Sequence, residues 1–375
     1  MLFRSDYGGW SIDTQFVYLM GSAYLLAAGM GRPVADAVTK VTIPEAGRYR
    51  IWVRSRNWVP GQAPGQFMLR LDGRSLPKVF GKEDSGEWVW EDGGERTIEA
   101  GGCTLALRDM TGYYGRCDAI ILTTDLNYVP PGDRDAVCRE RARLTELALD
   151  PEIAGEFDVI VVGAGPAGSP AALAAARTGA RTALIQDRPV LGGNASDECG
   201  VPLNGASSHH PNARETGIAE EVSRLRVRHG HAKLSEPFRL LAEAEPNLSV
   251  FVNQRVVAVD MGSPARIGAV RAVNALTGQI SVFRGRFFID CTGDGWVGYY
   301  AKADYRLGRE ARHEFNEDLA PEQADALTMS GCLMGNGLGF RAADTGAPAP
   351  FTRPAWAREI EVLEGPGRRL RSITG

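Results

Sequence analysis

Three closely spaced glycines carry the clearest chemical signature in this chain. Gly163, Gly165 and Gly168 give the spacing GxGxxG within the stretch DVIVVGAGPAGSP. In this pattern the first glycine permits a tight turn, the second lets the backbone approach a pyrophosphate, and the third lets a helix pack closely on a strand. The N-terminal end of that helix also favours phosphate charge. We therefore expect a dinucleotide here, with Pro166 and Ala167 in the same loop.

The elements that must position these glycines follow in order. Phe157 to Val162 is predicted to be a buried strand, PAGSPAALAAARTGA opens an alanine-rich helix, and TALIQD is a second strand. An acid that holds the adenosine ribose usually stands about 20 residues after the glycines. Gln186 occupies that place, with Asp187 next to it. Because glutamine carries no charge, we expect it to bind the ribose hydroxyls more weakly than an acid would. We also expect it to repel a 2′-phosphate less.

A second glycine-rich loop follows the second strand. The chain runs QDRPVLGGNASDECG and later continues with LSVFVNQRVVAVD, a meander over RIGAVRAVNALTGQISVFRGRFF, and FIDCTGDGWVG. This order resembles the two-dinucleotide-fold flavoproteins, and the LGGNAS loop resembles that of the FAD-dependent oxidoreductase family. The resemblance runs from about Phe157 to Asp294. It implies that the cofactor is FAD.

The same resemblance assigns further residues to the FAD site. It implies that the LGGNAS loop lies along the pyrophosphate, ribityl chain and isoalloxazine, that the backbone of Val256 meets adenine, and that the TGD motif lies near the phosphates. The loop contributes Gly192, Gly193, Asn194, Ala195 and Ser196, and the TGD motif contributes Thr292, Gly293 and Asp294. Glycine-rich loops suit this task, because their backbone N–H groups satisfy oxygens without adding an unpaired charge.

Two adjacent histidines are the candidates for catalysis. His209 and His210 follow the flavin loop, where a histidine near the isoalloxazine could act as a general base that removes a hydroxyl proton. The alternative, that both only hydrogen-bond within a loop, stays open. Arg214 and Glu215 are more typical of a structural ion pair or helix cap, and Cys199 of an ordinary small side chain.

The first third of the chain has a different pattern. In GRYRIWVRSRNW, Tyr49, Ile51 and Val53 recur with the period of a strand. QFMLRLDGRSL, EWVWEDGG, TIEAGGCTLALRD and CDAIILTTD follow, with turn signals between them. Many short strands of this kind favour a β-sandwich. The order of these pieces resembles the jelly-roll-like carbohydrate-binding modules, which makes carbohydrate a candidate partner.

Three tryptophans of this region allow two interpretations. Trp58, Trp88 and Trp90 could form a platform on which sugar rings stack, or they could pack in the core or against another domain. We favour packing, because large aromatic side chains are mostly buried.

Composition and charge exclude several classes of partner. The net charge of −4 leaves no basic face for a nucleic acid. The 6 cysteines show no CxxC or CxxH spacing, so no metal site is expected. The apolar run FVYLMGSAYLLAAGMG is predicted to be core sequence, because Asp6 and Asp13 precede it and it is too short to span a bilayer. We therefore expect a cytoplasmic protein without a membrane partner.

The sequence thus predicts an all-β and α/β multidomain chain. The predicted segments are a β-sandwich (1–130), a linker (131–155), a Rossmann-like FAD-binding domain with a β-meander (156–300) and the beginning of a substrate domain (301–375). Flavoproteins of this kind return to the FAD fold with a final segment, and no such segment is visible before Gly375. We expect either a fragment or a site that is completed by a second chain, which a homo-oligomer could supply.

The predicted function is that of an FAD-dependent oxidoreductase that transfers hydride from a hydroxylated small molecule, a sugar or a polyol, to flavin. Two alternatives stay open. One is a dinucleotide-assisted glycoside-modifying enzyme, and the other is a truncated protein that binds a carbohydrate or a partner without turnover. The sequence does not decide among them, because a fold does not fix a substrate.

Overall fold

The computed structural model describes residues 6–147, 150–201, 203, 216–228, 233–306, 308, 310–324, 346–348 and 355–356. Within these residues, two antiparallel sheets form the N-terminal part and one mixed six-stranded sheet follows. The predicted combination of a β-sandwich and a Rossmann-like α/β unit is confirmed.

Antiparallel strands build the N-terminal sandwich. Its elements are β1 (Trp10–Asp13), α1 (Val17–Met20), β2 (Tyr24–Ala28), β3 (Ala37–Ile43), β4 (Gly47–Arg56), β5 (Phe67–Leu71), β6 (Arg74–Ser75), β7 (Trp88–Ile98), β8 (Gly101–Asp109) and β9 (Tyr113–Thr123), and α2 (Arg134–Thr145) follows. One sheet has the order β1-β2-β9-β4-β7 and the other β3-β8-β5-β6. As the period of two predicts, Tyr49, Ile51 and Val53 of β4 are buried between the sheets, where apolar burial stabilises the sandwich.

The outer face of the five-stranded sheet is also covered. Trp90 Nε1 donates to the carbonyl of Pro131 at 3.0 Å, and Arg141 of α2 lies 2.9 Å from the buried carboxylate of Asp118 on β9. The segment that the sequence predicts as a linker, 131–155, therefore includes a helix packed on the sandwich. Arg141, one of the charged residues of this segment, neutralises the buried carboxylate. The domain boundaries themselves stay a prediction.

The apolar run near the start of the chain forms α1 and β2 and contributes core residues, as predicted. Val17, Met20 and Tyr24 are buried. Met20 and Tyr24 pack with Trp88 in one apolar cluster. Trp88 is therefore a packing residue.

The six-stranded sheet is mostly parallel at its centre. The elements that form and flank it are β10 (Glu152–Val162), α3 (Gly168–Arg177), β11 (Thr182–Ile185), a 3-10 turn (Gly193–Ala195), α4 (Ile218–Arg228), α5 (Glu236–Glu243), β12 (Leu248–Phe251), β13 (Gln254–Ser263), β14 (Arg266–Asn274), β15 (Ile280–Asp290), α6 (Trp296–Tyr300) and α7 (Arg312–Phe315). The strand order is β12-β11-β10-β15-β14-β13. Strand β10 pairs in parallel with β11 and β15, whereas β13, β14 and β15 form the antiparallel meander.

Two strands are longer than the sequence predicts. Strand β10 begins at Glu152 rather than at Phe157, because its more exposed first half pairs with the first half of β15. Strand β15 pairs with β14 on one side and with β10 on the other, so the third strand of the meander and the closing strand are one element. This shared strand ties the meander to the parallel strands.

Helices α3, α4 and α5 cover one face of the parallel strands. Val161 and Leu184 of the sheet pack with Ala172, Val222 and Phe238 of the helices. In the described part of the chain, no helix is both long enough and apolar enough to cross a membrane.

Candidate cofactor site

The carboxyl ends of three parallel strands open on one cavity. Strands β10, β11 and β15 end at Val162, Ile185 and Asp290, and their parallel pairing brings the loops that follow to the same edge of the sheet. A cavity of about 580 Å³ lies there. Open α/β sheets bind ligands at this edge.

Most of the predicted cofactor residues line this cavity. They are Gly163, Gly165, Pro166, Ala167, Gln186, Asp187, Gly193, Asn194, Val256, Thr292 and Gly293. The predicted residues outside its lining are Gly168, Gly192, Ala195, Ser196 and Asp294. Sequence reasoning missed other lining residues, which include Arg188, Glu198, Gln254, Arg255 and Trp296. Adjacency in the sequence could have identified two of them, because Arg188 and Arg255 directly adjoin predicted residues.

Some of the glycines serve packing rather than a ligand. Gly163 has a φ of 96°, and a Cβ there would lie 2.2 Å from the carbonyl oxygen of Cys291. A Cβ on Gly168 would lie 1.7 Å from the carbonyl oxygen of Gly163. A Cβ on Gly192 would lie 2.9 Å from the ring of Phe238. These glycines let α3, α5 and β15 approach the loops closely, and this packing positions the loops that form the cavity wall.

Gly165 has a different environment. A Cβ on Gly165 would come no closer than 3.9 Å to another part of the described chain, and that nearest atom is the Cα of Gly193. The protein itself thus leaves room for a side chain, and this room belongs to the cavity. A ligand that must touch the backbone accounts for a glycine at such a place.

The N-terminus of α3 is available to an anion. Its N-cap residue, Ala167, makes no side-chain hydrogen bond, and the first turn contains no acidic residue. The partial positive charge of the helix end is therefore not neutralised by a nearby side chain of α3. Together with the space at Gly165, this end of the cavity fits a pyrophosphate.

Gln186 lines the cavity, but its amide bonds to the main chain. The residue is 4% exposed. Its Oε1 accepts from Ala164 N at 2.8 Å, and its Nε2 donates to the carbonyl of Val190 at 3.3 Å. The side chain therefore links the first glycine loop to the second. An amide is needed for this role, because an ionised carboxylate could not donate to Val190.

Ion pairs govern the charge of the cavity wall. Asp187 Oδ2 lies 2.9 Å from Arg255 Nη1. Arg188 donates from Nε and Nη2 to the two carboxylate oxygens of Glu198, each at 2.9 Å. Both of these arginines thus already have a carboxylate partner. A 2′-phosphate would have to displace a carboxylate, so the wall suits a dinucleotide without that group.

Asp290 shapes the loop after β15. Its Oδ1 accepts from the hydroxyl of Thr292 at 2.7 Å, and its Oδ2 accepts from Gly298 N at 3.0 Å. Thr292 Oγ1 accepts in turn from Trp296 N at 3.0 Å. These bonds fix Thr292 at the cavity wall and start α6. Asp294 lies in the same loop and is exposed.

Two cysteines also line the cavity, Cys199 and Cys291. Burial, together with the charge of Asp290, raises the pKa of the Cys291 thiol, which favours its protonated and less reactive form. Among the described residues, no group of three or more His, Cys, Asp or Glu side chains could hold a metal ion.

The predicted catalytic residues lie outside the described part of the chain. These are His209 and His210. Arg214 and Glu215 also lie outside it. The role of the histidines as general bases stays a prediction.

A sequence profile of the family described as FAD dependent oxidoreductase matches residues 158–370, more than half of the chain. The chain belongs to this family. Membership confirms the predicted family and the predicted cofactor, FAD. The matched region begins in β10 and includes both glycine loops.

Two curated proteins resemble the same region. The chain is 32% identical to the sarcosine oxidase subunit alpha of Corynebacterium sp. (strain P-1) over 131 residues, which are 34% of this chain and 12% of that protein. It is 30% identical to the tRNA uridine 5-carboxymethylaminomethyl modification enzyme MnmG of Clostridium botulinum (strain Okra / Type B1) over 238 residues, which are 57% of this chain and 35% of that protein. The FAD-dependent oxidoreductase chain thus spans only a minor part of each relative's length.

Two solved structures resemble the sandwich. A family 35 carbohydrate binding module from Clostridium thermocellum is 17% identical, with a TM-score of 0.27, and the match covers 32% of this chain and 90% of that one. A family 35 module from an environmental isolate is 18% identical, with a TM-score of 0.25, over 32% of this chain and 88% of that one. The two-sheet architecture itself rests on the strand pairing of the present chain.

Proposed function

We propose that FAD occupies the cavity at the carboxyl edge of the six-stranded sheet, with its pyrophosphate at the N-terminus of α3. The observation that carries this proposal is the space at Gly165, which the protein leaves open on the cavity side. Main-chain N–H groups of the first glycine loop and of the 3-10 turn would satisfy the phosphate oxygens.

The cavity walls would support the rest of the cofactor. Val256 is buried at the wall, where its backbone would meet adenine, and Asp187 would lie near the ribose. Asn194 and Thr292 line the part assigned to the ribityl chain and phosphates. When bound, FAD supplies a group that accepts two electrons and a proton from a substrate.

We propose a hydroxylated small molecule, a sugar or a polyol, as the substrate. Its support is the sequence resemblance of the first third of the chain to carbohydrate-binding modules. The names of the two relatives point to other substrates, sarcosine and a tRNA uridine. His209 and His210 would remove the hydroxyl proton. A cytoplasmic location and completion of the site by a second chain also stay proposals.

The cofactor proposal is tested by releasing and identifying what the purified chain carries. We expect FAD, detected by its absorption spectrum and by chromatography after denaturation. If the protein is purified without flavin, it should bind added FAD with a saturable change in flavin fluorescence. A chain that is folded by circular dichroism, yet neither carries nor binds FAD, would contradict the proposal.

The substrate proposal is tested under anaerobic conditions by loss of the oxidised flavin absorbance. The panel contains sugars, polyols and, as a competing class, sarcosine. Bleaching by a sugar or a polyol is expected, whereas bleaching by sarcosine alone would contradict the proposed class. Release of a free sugar from a glycoside would favour the glycoside-modifying alternative, and flavin that no compound reduces would favour the non-catalytic one.

A further inference from the structure

One side chain of the sandwich reaches the wall of the proposed FAD cavity. Thr14 follows β1 and is 5% exposed. Its Oγ1 accepts from Nη1 of Arg188 at 3.0 Å. Arg188 lines the cavity, and its Nε and Nη2 donate to the carboxylate of Glu198, which also lines it. A chain of contacts thus runs from the sandwich through Arg188 to the cavity.

Arg188 and Glu198 stand at the two ends of the second glycine loop. Their double hydrogen bond, with both distances at 2.9 Å, closes the loop at its base. Inside the loop, Gly192 N donates to the carbonyl of Ala164 at 2.8 Å, which holds it against the first glycine loop. A two-point ion pair of this geometry fixes orientation as well as distance. The position of Arg188 therefore controls the shape of the loop.

The sandwich holds Thr14 firmly enough to act on Arg188. Ala23 N, which lies between α1 and β2, donates to the carbonyl of Ala275 at 2.8 Å. Val17 and Ala23 are buried in one apolar cluster with Val273 and Ala275 of the meander. This hydrogen bond and this apolar cluster anchor the segment that carries Thr14 to the meander of the six-stranded sheet.

We infer that Thr14 is a positioning residue of the FAD site, because it holds Arg188 and, through Arg188 and Glu198, the glycine loop in its binding shape. The inference rests on the proposed FAD function. Without the Thr14 hydroxyl, Arg188 loses the acceptor for one N–H, so the pair with Glu198 can rotate and the loop loses its shape.

The test replaces Thr14 with valine, which has nearly the same shape but no hydroxyl, and with serine, which keeps the hydroxyl. For Thr14→Val we expect about tenfold weaker FAD binding, the size of one lost hydrogen bond to a charged group. Faster hydrogen exchange at the amides of Gly192, Ala195 and Ser196 is expected in the FAD-free protein. Thr14→Ser should restore both properties. Ser11→Ala in β1, whose hydroxyl donates to Leu26 and not to Arg188, is the matched control.

Exchange in the FAD-free protein separates this inference from the proposed function. If the natural chain binds no FAD, the function fails, while faster loop exchange in Thr14→Val would still support the contact chain. Unchanged exchange and unchanged FAD affinity in Thr14→Val would overturn the inference. Should Thr14→Val fail to fold, Glu198→Gln, which weakens the same pair from the cavity side, must loosen the loop, or the inference is wrong.

Discussion

The outer face of the five-stranded sheet differs from the carboxyl edge of the six-stranded sheet in the groups that occupy it. We call the second region the glycine edge, because the two glycine loops lie there. On the sandwich, large and charged side chains pack under α2, and the carboxylate of Asp118 is buried between Arg54 and Arg141. At the glycine edge, side chains are missing where the loops meet, and Gly165 and Gly193 bring two backbones together. The first surface pairs its buried charges within the protein and keeps a cavity of about 390 Å³ beside α2, whereas the cavity of about 580 Å³ at the second is lined by the glycine loops.

This difference separates stability from binding. A buried charge must be paired, so the removal of one partner on the sandwich face should lower the free energy of unfolding. A glycine beside a cavity leaves its space to a ligand, so a side chain added there should lower affinity and leave folding nearly unchanged.

The largest effect is expected at Gly165. Gly165→Val should abolish FAD binding, because the added methyl groups would occupy the space at the start of α3. The free energy of unfolding of the FAD-free protein should change by less than about 1 kcal/mol. Gly102→Val in β8 is the matched control, since a Cβ there meets nothing within 4 Å, while the nearest atom at Gly165 is 3.9 Å away, and Gly102 lies on the sandwich. Full FAD occupancy in Gly165→Val would end the assignment of this site.

The next effect concerns the buried carboxylate. Asp118→Asn should lower the free energy of unfolding by roughly 3–5 kcal/mol, because the buried guanidinium group of Arg54 and the partly buried one of Arg141 lose their countercharge. Chemical denaturation measures the loss. Asp92→Asn is the control on the same face: Asp92 pairs with Arg50, but its side chain is 41% exposed, so a change of about 1 kcal/mol or less is expected. Equal effects of both substitutions would show that burial does not matter here.

The same carboxylate should make stability depend on pH. Burial alone would raise the pKa of Asp118, but the charges of Arg141 and Arg54 outweigh it and hold the pKa below its ordinary value of 3.8. A depressed pKa in the folded state gives stability that is present above the unfolded-state value and is lost as the pH falls through the folded-state value. Stability should therefore decline below about pH 4, and Asp118→Asn should flatten this decline. A decline of equal steepness in Asp118→Asn would assign it to other groups.

The tryptophans test whether the sandwich face is used for packing throughout. Trp88 is 8% exposed, and its ring centroid lies 4.9 Å from that of Tyr24. Trp88→Ala should cost about 3 kcal/mol of unfolding free energy, as large-to-small core changes do. Trp58→Ala should cost less, because Trp58 is only half-buried. Binding of the isolated sandwich to a glycan array, lost in Trp88→Ala without loss of stability, would contradict the packing role.

The two regions also differ in how far the sequence predicts them. The glycine spacing is local information, so the first loop and the helix after it follow from it. The other cavity residues came from the resemblance to the FAD-dependent oxidoreductase family. The partners of Asp118 and Arg188 depend on which strands and helices meet, and Thr14 lies far from Arg188 along the chain. Strand β15 was divided in two because its dual pairing has no local signature. The sequence does not predict the orientation of the Gln186 side chain either, because a position in a motif does not say where a side chain points.

The smallest effect is expected at Gln186, where the glycine edge does depend on a side chain. Gln186→Glu keeps an acceptor for Ala164 N but replaces the Nε2 donor with an oxygen that faces the carbonyl of Val190. We expect FAD affinity to fall by about 1–2 kcal/mol, because a buried acceptor is left unpaired and the two loops separate. The loss should shrink at low pH, where the introduced carboxyl is protonated and can donate.

Gln254→Glu, at a second glutamine that lines the cavity, is the control, and titration of FAD fluorescence at two pH values gives the affinities. Tighter FAD binding in Gln186→Glu would mean that this side chain turns to the ribose, as the position in the sequence motif first suggested, and that the glycine edge is made of main chain alone.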